Sequence, residues 1–121
     1  MTEIKSVLLI DNNDLDNFIN HKILESHGVT NIIVFKNVAS ALPFLAATNL
    51  HYQYILVDIN LPVIDGFQFI DKFKELELHK AHGEICLLSA SICPKHKEQC
   101  AERNVRFIEK PLTIEKLLMQ L

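Results

Sequence analysis

Residues 54–66 read YILVDINLPVIDG. An apolar run ends on one carboxylate, Asp58, and a short proline-bearing loop then leads to Asp65 and Gly66. Near-continuous apolar residues in a segment this short suit a strand buried on both faces, as in parallel sheets covered by helices. In such sheets ligands collect outside the carboxyl ends of the strands. Asp58 is therefore expected at a functional rim, and it need not be buried.

Working outward, residues 4–10 (IKSVLLI), 30–35 (TNIIVF), 83–90 (GEICLLSA) and 105–110 (VRFIEK) read as further strands beside 53–58 (QYILVD). Helices are expected between them. Residues 11–28 place Leu15, Phe18, Ile19 and Ile23 on one face at helical spacing, with Gly28 as the stop. Residues 38–47 form a short helix carrying Pro43. A start near Ser40 puts that proline in the first turn, and a start at Asn37 costs a backbone bond. Residues 66–78 show the stripe Phe67, Ile70 and Phe73. Residues 94–104 open with Pro94 and close at Asn104, and residues 113–120 form the last helix. Strict alternation of strand and helix predicts an α/β fold, a doubly wound five-stranded parallel sheet of flavodoxin-like order 2-1-3-4-5 flanked by five helices.

The chain has 121 residues, 49% of them hydrophobic, enough for a core in one domain spanning 1–121. A net charge of -3 gives no basic stripe for nucleic acid, and no apolar run is long enough to span a membrane. The N-terminus lacks a signal-peptide pattern, so a cytoplasmic protein is expected. Three cysteines without a CxxC pair do not make a disulfide framework. Cys93, His96 and Cys100 share one helical face, but one helix seldom supplies three metal ligands. Cys86 reads as a small core hydrophobe. His79 and His82 read as solvated surface.

The residues just past each strand are Asp11-Asn12, Asp58, Ser89 and Lys110-Pro111. With neighbouring strands ~5 Å apart, these side chains can converge. Two carboxylates repel, and a hard cation such as Mg²⁺ relieves that. A lysine and a hydroxyl beside them complete a site for a phosphoryl group carried on a carboxylate.

At this point the chain resembles the receiver domain of a two-component response regulator. The resemblance rests on LLIDNND (8–14), LVDINLPVIDG (56–66), LLSAS (87–91) and VRFIEKP (105–111), in order and at family spacing. It implies that Asp58 accepts a phosphoryl group from a histidine kinase or a histidine phosphotransfer protein. It assigns Asp11, Asn12, Asp58 and the Asn60 backbone carbonyl to Mg²⁺. It gives Ser89 and Lys110 to the phosphoryl oxygens and Phe107 to the switch position, and it makes the bond before Pro111 cis. Asn12 stands where the family usually has a second acid, which weakens the expected metal binding. Phe107 replaces the commoner tyrosine and has no hydroxyl to offer a partner. The domain is then not an enzyme beyond self-catalysed phosphoryl transfer and autodephosphorylation. No output segment follows the last helix. The chain thus reads as a stand-alone receiver or a piece of a larger protein, acting on a downstream protein that no motif names.

Three other classes compete. A small phosphatase with an aspartate nucleophile wants a second Asp where Asn13 stands, and a cap segment besides. A flavin mononucleotide carrier would meet repulsion from the first loop, DNND. A pseudo-receiver docking module finds support in Asn12 alone.

Overall fold

The computed structural model describes residues 3–119. Five strands, β1 (Ser6–Ile10), β2 (Asn31–Phe35), β3 (Tyr54–Asp58), β4 (Glu84–Ser89) and β5 (Arg106–Glu109), form one parallel sheet in the order β2-β1-β3-β4-β5. Five helices alternate with them: α1 (Asp14–Ser26), α2 (Val38–Ala47), α3 (Gly66–Glu75), α4 (Pro94–Glu102) and α5 (Ile114–Leu118). The expected doubly wound fold is the one observed. A 3-10 turn, Leu78–Lys80, ends the segment read as the tail of the third helix. Position 120, expected in the last helix, lies outside the described residues.

Side chains alternate across the sheet because strand residues point to opposite faces in turn. Leu8, Ile10, Ile55, Val57 and Leu87 pack with Leu45 of α2 and with Phe67, Phe69, Ile70 and Phe73 of α3. Val7, Leu9, Leu56, Cys86, Leu88 and Ile108 pack with Leu24 of α1 and with Ile114 and Leu117 of α5. Both faces of β1, β3 and β4 are thereby dry, as their apolar runs demand.

Helix boundaries follow from caps. Asn13 caps α1 by accepting from the Asp16 amide at 2.9 Å. Asn37 caps α2, so Pro43 lies inside that helix and removes one backbone bond. Asp65 and Gln68 form a reciprocal capping box at the start of α3. Asn104, with φ 52, ends the segment after α4 in the left-handed region.

Two expectations are corrected. The apolar stripe of α1 does not face the core: Leu15 is 66% exposed, Phe18 61% and Ile19 41%. The buried positions are Asn17, Asn20 and Leu24, one to two residues around the helix, while Ile23 is half-buried. His82 is not surface. Its ring is buried, with Nδ1 accepting from the Tyr52 amide at 3.3 Å and Nε2 donating to the Leu45 carbonyl at 3.2 Å. Asp58 sits at the rim yet is itself buried. His79 is exposed and Cys86 buried, as read.

Candidate functional site at the strand carboxyl ends

Each strand hands its chain to the same end of the sheet. Asp11 follows β1, and its amide donates to the Phe35 carbonyl at 3.0 Å, extending the β1–β2 ladder by one bond. Asp58 closes β3 opposite Leu88 of β4, and Ser89 closes β4 opposite Glu109 of β5. The Lys110 amide donates to the Ser89 carbonyl at 2.8 Å, and the Lys110–Pro111 bond is cis. From that turn the lysine reaches back over the sheet.

Its ammonium meets three carboxylates: Asp11 at 3.0 Å, Asp16 at 2.8 Å and Asp58 at 3.1 Å. Asp11 and Asp58 are each fixed through the second oxygen. Asp11 Oδ1 accepts from the Asn13 amide at 3.0 Å, and Asp58 Oδ1 accepts from the Asn60 amide at 2.9 Å. These are charge-assisted bonds in a shielded place, and they fix both rotamers. Burial, with the charge of Asp58 adding to it, pushes the Asp11 carboxyl above its usual range, against the pull of the Asn13 amide and Lys110. Burial also works against the Lys110 charge. It is outweighed by the hydrogen bonds from Asp16, Asp11 and Asp58, so the ammonium is held well above the ordinary lysine range.

Asn12 and Asn60 are exposed and line one cleft of 600 Å³ with Pro62, Phe67 and His96. The donors at this end of the sheet are oxygens: two buried carboxylates, an amide side chain at 12 and the main chain at 60. That set fits a hard divalent cation, which commonly takes one or two carboxylates and completes its shell with water and phosphate oxygens. Asp11, Asp58, Asn12 and the Asn60 carbonyl would hold it. Cys93, His96 and Cys100 form no metal-holding cluster among the described residues. His96 instead packs its ring on Phe67.

Ser89 is fully buried but does not reach Asp58. Its hydroxyl donates to the Ser91 carbonyl at 2.6 Å and accepts from the Ser91 amide at 3.2 Å. Phe107 is half-buried against the α3 side of the core. It lines a separate groove of 720 Å³ along α3, α4 and β5, away from the carboxylates.

Two pocket residues escaped the sequence reading. Asp16 adds a third acid to a pocket expected to hold two. Asn17, which no sequence pattern singles out, is buried and donates from Nδ2 to the Asp11 carbonyl at 2.7 Å. The signal for both was the cap at Asn13: once α1 starts there, positions 16 and 17 lie in its first turn, beside the loop that carries Asp11.

Residues 7–121 match the response regulator receiver domain family. A two-component response regulator of Cytophaga hutchinsonii has a solved structure that is 34% identical, covers 96% of this chain and 92% of its own, and superposes with a TM-score of 0.83. Two-component response regulator 24 of Arabidopsis thaliana is 26% identical over 93% of this chain and 78% of its own length. The peroxide stress-activated histidine kinase mak1 of Schizosaccharomyces pombe is 25% identical over 93% of this chain, which spans only 7% of that protein. Among the described residues no helix is long and apolar enough to cross a membrane.

Proposed function

We propose that this chain, which belongs to the response regulator receiver domain family, takes a phosphoryl group on Asp58 from a phosphohistidine and changes partner binding as a result. The observation that carries the reading is the Lys110 ammonium bridging Asp11 and Asp58 at 3.0 and 3.1 Å. A carboxylate with a fixed cation on one side and a backbone amide on the other is held ready for in-line attack on phosphorus.

In the transfer, an Asp58 carboxylate oxygen forms the new P–O bond while the P–N bond to the donor imidazole breaks, and the imidazole leaves with that electron pair. Mg²⁺, when bound, supplies charge neutralisation for the phosphoryl oxygens. Lys110 follows the group as negative charge moves outward from Asp58. Ser89 exchanges its bonds to Ser91 for one to a phosphoryl oxygen, and the space it leaves admits the Phe107 ring. Only a few kcal/mol separate the two states of such a switch.

The donor is read as a protein, a histidine kinase or a histidine phosphotransfer protein. Leu15, Phe18 and Ile19 support that, since exposed apolar side chains at helical spacing on α1, whose Asp16 reaches Lys110, suit a docked helix. The same reading places the chain in the cytoplasm, as one signalling domain with no catalysis beyond its own phosphorylation and dephosphorylation. A docking module that no longer takes phosphate is the second reading, favoured by Asn12.

The test is incubation with a small phosphodonor and Mg²⁺, followed by intact mass measurement. A gain of one phosphoryl group that disappears in Asp58→Asn is expected. A gain that survives the substitution would move the acceptor elsewhere. No gain, and no amide shifts with beryllofluoride over residues 89–110, would favour the docking module.

A further inference from the structure

A lysine ammonium has three N–H donors. In Lys110 all are engaged, and the shortest contact is to Asp16, not to either carboxylate at a strand end. Asp16 lies in the first turn of α1, where its own amide is tied to the Asn13 cap. Its neighbour Asp14 points elsewhere and pairs with Lys36. Asp11 and Asp58 each have a backbone amide as a second partner. Among the described residues the Asp16 carboxylate has no hydrogen-bond partner other than Lys110. Counted as formal charges and before any cation binds, three carboxylates against one ammonium leave an excess of two negative charges (3 − 1 = 2).

We infer that Asp16 is a positioning residue that restrains Lys110 and so opposes occupancy of Asp58 by a phosphoryl group. It acts in two ways with the same sign. It competes for the ammonium that a phosphoryl oxygen needs, and its charge repels the incoming anion. Position 16 therefore sets how readily the site fills and how long it stays filled. The Asp16 side chain is one-third exposed, so solvent weakens both effects without removing them. The inference rests on the reading of Asp58 as the phosphoryl acceptor.

The experiment is a beryllofluoride titration in saturating Mg²⁺, followed by amide shifts, on the wild-type chain, Asp16→Asn and Asp16→Glu. Asp16→Asn is expected to lower the half-saturating concentration about two- to fivefold, the range an ion pair of this exposure spans. Asp16→Glu keeps the charge and is expected to stay near wild type. The difference between wild type and Asp16→Asn should shrink at high ionic strength, which a merely structural effect would not do. Saturable wild-type binding that is unchanged or weakened in Asp16→Asn, with unfolding midpoints matched, overturns the inference alone. Absence of binding to the wild-type chain overturns the reading of Asp58, and the role of Asp16 with it.

Discussion

The carbonyl oxygen of Asp58 lies 2.7 Å from the point where a Cβ on residue 66 would stand, and residue 66 is Gly66. Leu87 Cδ2 would be 2.9 Å from the same point. The Gly66 amide also donates to the Ile59 carbonyl at 3.1 Å. The start of α3 is thus pressed against the end of β3 with no room for a side chain. Gly66→Ala should destabilise the fold by about 1–3 kcal/mol, the usual range for overpacking. A denaturant midpoint that falls with an unchanged slope would report it, and an unchanged midpoint would count against this packing.

Asn12→Asp should tighten Mg²⁺ and weaken the metal-free protein together. It adds a charge beside Asp11, whose carboxyl already sits above its usual range through burial. Two like charges ~5 Å apart cost up to ~3 kcal/mol at an effective dielectric of ~20, and exposure at 12 reduces this to about 1 kcal/mol or less. The sign with pH follows from Asp11. Its folded value is raised, so the native state binds the proton more tightly than the unfolded chain does. That contribution is full below the ordinary Asp value and is lost as pH rises through the raised one. The deficit of Asn12→Asp should therefore open across the carboxylate range and stay level at neutral pH. Equal or weaker Mg²⁺ affinity in the variant would show that position 12 does not face the cation.

His82 joins α2, the segment leading into β3 and the turn before β4 through one ring. With Nδ1 accepting and Nε2 donating, the ring serves as the neutral Nε2–H tautomer. Tyr52 and Phe73 lie against it with ring centroids 6.0 and 6.4 Å away. His82→Ala orphans the Tyr52 amide and the Leu45 carbonyl and opens a cavity. A loss of about 2–4 kcal/mol is expected in equilibrium unfolding. A loss under 1 kcal/mol would mean water replaces the ring.

The three thiols should separate by reactivity. Burial, helped by the nearby Glu84, pushes the Cys86 thiol up to about 12, so it stays protonated at pH 8 and sealed from reagent. Cys100 is buried and also raised by burial, whereas Cys93 is exposed. Alkylation of the native protein at pH 8, followed by peptide mapping, should label Cys93 first, with Cys86 and Cys100 labelled only on unfolding. Early labelling of Cys86 would mean that β4 opens readily.

The strand-end residues were legible because the apolar runs of β1, β3 and β4 each stop at a polar residue, and parallel strands carry those stops to one end of a sheet. The parallel sheet, the α3 stripe and the strand-end positions of Asp11, Asp58 and Lys110 follow from that pattern and from short loops, whereas the order 2-1-3-4-5 came from likeness to flavodoxin-like sheets. The face of α1 was not legible. Leu15, Phe18 and Ile19 share the spacing of a core stripe, but periodicity marks a face without saying what covers it. Asn17 occupies the inner face because its amide serves the Asp11 carbonyl, a bond between segments that no local pattern encodes. For the same reason nothing in the local sequence marks Asp16: its partner Lys110 lies 94 residues further along the chain, and only the fold brings it to its side. His82 read as surface because its partners are backbone groups of α2 and of the segment before β3, which only folding brings together. Sequence by itself determined which residues can end a strand and which can line a core. The tertiary structure alone decided which polar groups meet, because hydrogen bonds and ion pairs depend on distances that only the packed chain sets.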